Sequence, residues 1–224
     1  MENWDAFEKR RGFVIFASPR SGSTTLADII ASQGYSVCYE PFNPVLKSLY
    51  YDRLRKEGIS VIPSLMENFD CVKHLSGHGG EIVDRKLLSH KSLILKRRNI
   101  LKSALSYCIS SKIGIWKARE LVGSEFDNIG VIDVMSVRAA IGRIRHIEKY
   151  NADKVVFYED LYCSSGWEEE LKGIFDYFGI AIKDWDSTES WMNKCHVMNS
   201  QDTYSKIKNI KEIEKLGSDE IGWL

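Results

Sequence analysis

The sequence lacks an excess of charge of either sign, and its cysteines have no metal-binding or disulfide pattern. Lysine plus arginine equals aspartate plus glutamate at 31 each. This balance excludes the global basic field that proteins use to attract nucleic acid, so any anion site must be a local cluster. The five cysteines are scattered, odd in number and without a CxxC motif. They therefore indicate reduced thiols and not a disulfide framework or a zinc module.

Long apolar segments are also absent. No run approaches the roughly 20 residues that are needed to span a bilayer. Residues 1–5, with the sequence MENWD, lack the basic and apolar regions of a signal peptide. We therefore expect a cytoplasmic protein without a transmembrane segment. The 224 residues predict one α/β domain over 1–224, because no linker-like segment divides them.

Strand-like and helix-like segments alternate along the chain. Apolar β-type runs occur at residues 13–17, 92–96 and 154–158. Helix-like segments lie between these runs, at residues 23–34, from Asn99 onward, at 133–150 and at 167–179. A further helix is predicted between residues 47 and 70. This alternation favours a three-layer, P-loop-like α/β fold with a central, mainly parallel sheet flanked by helices.

The segment after the first strand is rich in small and hydroxyl residues. It has the sequence SPRSGSTT at 18–25 and leads into an apolar helix. Backbone N–H groups of such a loop point at an anion, and the helix dipole favours negative charge there. Arg20 adds a fixed charge and Gly22 permits close backbone approach. Further hydroxyl donors are Ser21, Ser23, Thr24 and Thr25. The loop therefore predicts a phosphate or sulfate site, although ordinary strand-to-helix loops share part of this composition.

The loop differs from a Walker A motif at the lysine position, which nucleotide hydrolysis requires. Alignment of Gly22 with the second glycine of GxxxxGK[ST] places Ser23 at the lysine. No predicted strand is followed by an obvious aspartate for Mg²⁺. A metal-dependent nucleotide or small-molecule kinase is thus disfavoured. It stays open as an alternative, together with a nucleotide-binding protein that has no catalytic activity.

A basic cluster follows the strand at 92–96. Residues 96–99 have the sequence KRRN, and Ser106 lies eight residues after Arg98. The carboxyl ends of parallel strands are where open α/β sheets bind ligands, and arginine pairs bidentately with phosphate oxygens. The alternative is a solvated basic strand end.

These motifs resemble the sulfotransferases that use 3′-phosphoadenosine 5′-phosphosulfate (PAPS), in the style of bacterial carbohydrate and nodulation-factor members. The resemblance implies that residues 20–25 bind the 5′-phosphosulfate and that Arg98 and Ser106 bind the 3′-phosphate. In the segment FYEDL at 157–161, it implies that Tyr158 lies beside the adenine and that the two carboxylates cap a turn or helix. Possible stand-ins for the family's C-terminal phosphate clamp are Ser205 and Lys206.

The resemblance also implies sulfuryl transfer to a hydroxyl, expected on a carbohydrate or glycolipid, with 3′-phosphoadenosine 5′-phosphate (PAP) as product and no metal. Arg20 would stabilise the charge on the leaving 5′-phosphate. Glu40, in the sequence YEPFNP at 39–44, is predicted as the base, with a pKa raised by burial. His74 is the alternative base, because VKHL at 72–75 loosely resembles the KTHLP segment of animal enzymes. Lys73 is expected to contact the sulfuryl or acceptor oxygens.

Overall fold

A computed structural model of the chain describes residues 12–46, 49–114, 116, 129–195 and 204–220. Its centre is a sheet of five parallel strands in the order β2-β3-β1-β4-β5. The strands are β1 (Phe13–Ala17), β2 (Val37–Tyr39), β3 (Cys71–Leu75), β4 (Ser92–Lys96) and β5 (Lys154–Phe157). The predicted three-layer fold with a central parallel sheet is confirmed.

Helices cover both faces of the sheet. Those described are α1 (Ser23–Ser32), α2 (Leu49–Glu57), α3 (Ile62–Asn68), α4 (Glu81–Leu88), α5 (Ile100–Ile113), α6 (Val134–Arg145), α7 (Tyr158–Tyr162), α8 (Trp167–Phe178), α9 (Trp185–Cys195) and α10 (Ile210–Glu220). Asn99 caps α5, because its side chain accepts a 2.8 Å hydrogen bond from the N–H of Lys102. Gly179 ends α8 in the left-handed conformation that favours glycine, with φ 72°.

Side chains alternate along each strand between two apolar clusters, because successive residues of a strand point to opposite faces. Ile15 and Leu95 belong to the cluster that α1, α7, α8 and α9 cover. Val14 and Ile94 belong to the cluster that α2, α3 and α4 cover. A third cluster joins α5, α6 and α10. The central strands β1, β3 and β4 are therefore buried on both faces, which is the reason for the nearly continuous apolar sequence of β1 and β4.

The topology opens a crevice at the carboxyl end of β1. The chain runs from β1 to β2 and β3 on one side of the sheet and then to β4 and β5 on the other. Ligands of open α/β sheets bind at such a switch point. The loop that leaves β1 there passes directly into α1, which is the P-loop-like arrangement that the sequence predicts. Among the helices described, none combines the length and the apolar character that a membrane span requires.

Candidate functional site

The backbone is strained at two residues of the predicted site. Within the described part of the chain, the non-glycine residues with positive φ are Arg20, at 63°, and Glu40, at 47°. Such conformations cost about 1–3 kcal/mol each and concentrate at functional sites. Arg20 follows β1 and Glu40 follows β2, so both lie at the carboxyl edge of the sheet.

Hydrogen bonds within the loop after β1, and one from α7, fix the conformation of this loop. Ser21 is buried, and its Oγ donates a 2.8 Å hydrogen bond to the carbonyl of Ser18. The hydroxyl of Tyr162 donates a 2.8 Å hydrogen bond to the carbonyl of Gly22, whose φ is 80°. A Cβ at Gly22 would overlap the Tyr162 ring, so a side chain is excluded there. Ser23, which is buried, and the half-buried Thr24 and Thr25 form the first turn of α1.

Arg20 connects the loop to α5. Its Nε donates a 3.0 Å hydrogen bond to Ser106 Oγ, and its Nη1 donates a 2.8 Å bond to the carbonyl of Trp116. Burial, with a smaller contribution from the like charge of Arg97, lowers the pKa of Arg20 to about 10. Arg20 is still protonated at neutral pH, so it remains a cationic donor at this edge.

Arg98 and Ser106, the predicted 3′-phosphate ligands, have different partners. The Nη1 and Nη2 atoms of Arg98 donate to the two carboxylate oxygens of Asp160, each at 2.6 Å. The Arg98 guanidinium also lies 4.2 Å from the centre of the Phe157 ring, and about half of its side chain is exposed. Ser106 is buried against Arg20. A joint phosphate-binding role for Arg98 and Ser106 stays a prediction.

Arg97 is a residue of this edge to which the sequence motifs assign no role. Its side chain is 6% exposed, and its guanidinium lies 4.0 Å from the centre of the Tyr158 ring. Its Nε and Nη1 atoms are buried without a hydrogen-bond partner among the described residues. A signal was present in the sequence: Leu93 and Leu95 face the cluster under α1 and α7, and position 97 continues that alternation.

Two aromatic residues surround the arginines. Tyr158 is half-buried, and its ring contacts Arg97 on a face and lies close to Gly22. Its predicted place beside an adenine stays a prediction.

In the C-terminal segment Ser205 and Lys206 are exposed, whereas Tyr204 is buried. Burial raises the pKa of Tyr204, while the charges of Arg97 and Arg20 and a hydrogen bond with Arg97 oppose this shift. The Tyr204 hydroxyl thus interacts electrostatically with both arginines.

The predicted capping role of the acidic pair in FYEDL is confirmed for Glu159. Its carboxylate accepts hydrogen bonds from the backbone N–H groups of Arg98, at 3.0 Å, and Asn99, at 3.3 Å. Glu159 thereby fixes the turn between β4 and α5, on which both arginines lie.

Glu40 and Lys73 form a buried ion pair at the ends of β2 and β3. Lys73 Nζ contacts Glu40 Oε1, and Asn43 Nδ2 donates to Glu40 Oε2. Burial raises the pKa of Glu40, but the combined effect of Lys73, Asn43 and His78 is larger and leaves the pKa below its ordinary value. The expectation of a raised pKa is therefore wrong. Glu40 is ionised at neutral pH.

His74 faces away from this pair. Lys73 and His74 are consecutive in β3, so they point to opposite faces of the sheet. His74 has no exposed surface, and its Nε2 is hydrogen-bonded to Asp84 Oδ1 at 2.8 Å. Asp84 Oδ2 accepts further bonds from the N–H of Gly77, at 2.9 Å, and the hydroxyl of Tyr150, at 3.0 Å. His74 is thus part of a buried polar network under α4.

His78 is a neighbour of Glu40 that the sequence motifs do not predict. Its Nδ1 is 3.9 Å from Glu40 Oε2, in the loop that follows β3. Burial is the main cause that lowers the pKa of His78 to about 4, so the imidazole beside Glu40 is neutral at neutral pH. Among the side chains described, no group of three or more His, Cys, Asp or Glu residues is placed to hold a metal ion.

Comparisons with known proteins give weak similarity to solved structures alone. No family model matches the chain, and no curated protein matches its sequence. Among solved structures, the mouse sulfotransferase SULT7A1 complexed with PAP aligns with 88% of this chain, at 17% identity and a TM-score of 0.45. The aligned part is 65% of that protein's chain, so this chain spans less than two thirds of its length. Similarity at this level carries no function from one protein to the other.

Proposed function

We propose that this chain transfers a sulfuryl group from PAPS to a hydroxyl group, and that the acceptor is a carbohydrate or glycolipid. The observation that carries the proposal is the 3.0 Å hydrogen bond from Arg20 Nε to Ser106 Oγ. It joins the loop predicted for the 5′-phosphosulfate to the helix predicted for the 3′-phosphate. A nucleotide with anionic groups at both positions matches two adjacent sites better than a nucleoside diphosphate does.

The charge at this edge fits such a donor. The charge of Arg97 contributes to the lowered pKa of Arg20, and two guanidinium nitrogens of Arg97 have no hydrogen-bond partner among the described residues. Buried polar groups in native proteins nearly always have hydrogen-bond partners. The oxygens of a phosphate or sulfate group would supply the missing acceptors.

The transfer makes one bond to sulfur and breaks another. PAPS supplies an activated sulfuryl group; the acceptor oxygen bonds to its sulfur while the bond from sulfur to the 5′-phosphate oxygen breaks, and PAP leaves. In this proposal Arg20 and the N–H groups of the loop stabilise the negative charge that develops on the 5′-phosphate. The acceptor proton goes to the carboxylate of Glu40.

Two observations support Glu40 over His74 as the base. Glu40 is ionised and its side chain is 17% exposed at the ligand-binding edge. His74 is fully buried, bonded to Asp84 and on the opposite face of the sheet. In this proposal Lys73 orients the Glu40 carboxylate and is the cation nearest to the reacting oxygens. The carbohydrate or glycolipid acceptor rests on the resemblance of residues 18–25 and 39–44 alone.

The test is a transfer assay with PAPS that carries labelled sulfur, with sugars and glycolipids as acceptors. We expect label in the acceptor and an equal amount of PAP, and no phosphorylated product from ATP with Mg²⁺. ATP-dependent phosphorylation would favour the kinase alternative. Binding of PAP without transfer to any acceptor would favour a catalytically inactive nucleotide-binding protein.

A further inference from the structure

We infer that Arg97, and not Arg98, is the arginine at the end of β4 that binds the 3′-phosphate beside Ser106. The inference rests on the proposed function, because it assigns a ligand of the same site. It departs from the spacing of the family motif, which selects Arg98.

Arg97 has a buried guanidinium whose hydrogen-bonding capacity is only partly used. Only 6% of the Arg97 side chain is exposed. Its Nε and Nη1 atoms lack hydrogen-bond partners among the residues described. The Glu159 carboxylate is 3.9 Å from Arg97 Nε, which is beyond hydrogen-bonding distance, and already accepts two backbone N–H groups. The two nitrogens therefore have buried hydrogen-bonding capacity that the oxygens of an anionic ligand would satisfy.

A like charge, that of Arg20, lies close to Arg97. Arg97 contributes to the lowered pKa of Arg20, so the two cations repel each other in a buried environment. Arg20 in turn donates to Ser106 Oγ. An anion between these groups would remove the repulsion and accept hydrogen bonds from the arginine and the serine together.

Neighbouring aromatic rings fix the orientation of Arg97. Its guanidinium stacks on Tyr158 at 4.0 Å, and it interacts with the hydroxyl of Tyr204. A stacked guanidinium keeps its edge available for in-plane contacts with phosphate oxygens. The ring that the sequence places beside the adenine is thus in contact with the arginine that we assign to the 3′-phosphate.

Arg98 is occupied elsewhere. Both of its terminal nitrogens donate to Asp160, and its guanidinium covers Phe157 on the exposed side of the strand end. This pair tethers α7 to the end of β4 with the geometry of a satisfied surface ion pair. The terminal nitrogens of Arg98 therefore already donate to a carboxylate, whereas Nε and Nη1 of Arg97 have no hydrogen-bond partner among the described residues.

The experiment compares Arg97→Met with Arg98→Met by calorimetry of PAP and ADP. Arg53→Met is the control, because this exposed arginine lies on α2 with a side chain 77% exposed. We expect Arg97→Met to weaken PAP binding about 30-fold or more, and Arg98→Met and Arg53→Met to change it less than about threefold. The reverse ranking of Arg97→Met and Arg98→Met, or equal losses in both, would overturn the inference.

Thermal unfolding without ligand separates binding from a structural role. We expect Arg97→Met to melt within about 4 °C of the unmutated protein, because the variant loses the contacts of Arg97 with Tyr158 and Tyr204 but also removes a buried charge with two unbonded nitrogens. An arginine that serves the fold would give a lower melting temperature and unchanged affinity for PAP, and that result would contradict the inference. If Arg97→Met fails to fold, Arg97→Lys keeps the charge without the planar fork. We then expect a loss of about tenfold or more in PAP affinity and little change for ADP.

Failure of the proposed function has a different signature. Equal affinity of the unmutated protein for PAP and ADP would contradict the sulfotransferase proposal and the assignment of Arg97 to a 3′-phosphate. A clear preference for PAP that survives in Arg97→Met and disappears in Arg98→Met would uphold the function and overturn the inference alone.

Discussion

Arg20 and Ser106 are 86 positions apart in the sequence, and a 3.0 Å hydrogen bond joins their side chains. A second bond of 3.0 Å runs from Ser103 Oγ to the carbonyl of Pro19, so α5 contacts the loop after β1 twice. The loop and α5 therefore form one wall of the crevice. A ligand that contacts either element is in reach of the other.

Replacement of Arg20 by alanine tests its role in charge stabilisation. We expect kcat to fall about 10²–10³-fold, because the Arg20 charge is needed most as the 5′-phosphate leaves. PAP affinity should fall much less, by about tenfold or below. Steady-state kinetics with PAPS and calorimetry with PAP separate the two effects. A loss confined to PAP affinity would make Arg20 a simple anchor.

Replacement of Glu40 by glutamine tests the base. We expect turnover to fall about 10²–10⁴-fold with PAP affinity unchanged, because glutamine cannot take up the acceptor proton. Glutamine also leaves Lys73 buried without its counter-charge, which costs about 3–5 kcal/mol of stability. The companion variant Glu40→Gln with Lys73→Met removes both charges and should recover stability but not activity. Near-normal turnover of a folded Glu40→Gln protein would exclude Glu40 as the base.

The same pair predicts a pH dependence of stability. The pKa of Glu40 is lowered in the folded protein, from an ordinary value of 4.5. The pair therefore contributes stability that is fully present above about pH 4.5 and is lost as the pH falls through the folded-state value. We expect urea unfolding between pH 7 and pH 3 to show a steeper loss for the natural protein than for the double variant. Parallel curves would show that Glu40 titrates with an ordinary pKa.

Gly22 and Gly142 provide a matched pair of alanine substitutions. Gly22 has φ 80°, and a Cβ there would overlap Tyr162, so Gly22→Ala should lose about 2–4 kcal/mol of stability and weaken nucleotide binding. Gly142 lies inside α6, and nothing comes within 4 Å of the position that an alanine methyl group would take. Gly142→Ala should gain about 0.5–1 kcal/mol, because alanine favours helix more than glycine does. Chemical denaturation measures both changes, and equal effects would contradict the packing described for the loop.

Much of the fold was predictable because local signals were strong. The apolar runs at 13–17 and 92–96 became β1 and β4, and the hydroxyl-rich loop leads into α1 as expected. The strands β2 and β3 were not predicted. β2 has three residues, and the polar Lys73 and His74 interrupt β3. Lys73 can be buried because Glu40 pairs with it, and His74 can be buried because Asp84 accepts its hydrogen bond. Neither partner belongs to β3.

The site was less predictable because its contacts are non-local. The sequence places Arg97 and Arg98 at the same strand end, but which one turns inward depends on the facing α7 with Tyr158 and Asp160. The pKa of Glu40 likewise depends on Lys73, which belongs to a neighbouring strand. Burial alone predicted the wrong direction, since the counter-charge that reverses it is visible only in the folded chain.

The most direct test of the sulfotransferase account is calorimetry of PAP and ADP on the unmutated protein, with and without Mg²⁺. PAP differs from ADP in carrying one of its phosphates on the 3′ position, which a sulfotransferase donor site recognises. One charge-assisted contact with a hydroxyl bond is worth roughly 2–4 kcal/mol, so we expect PAP to bind about 30- to 1000-fold more tightly and Mg²⁺ to matter little. Equal affinities, or tighter binding of ADP in the presence of Mg²⁺, would contradict the account.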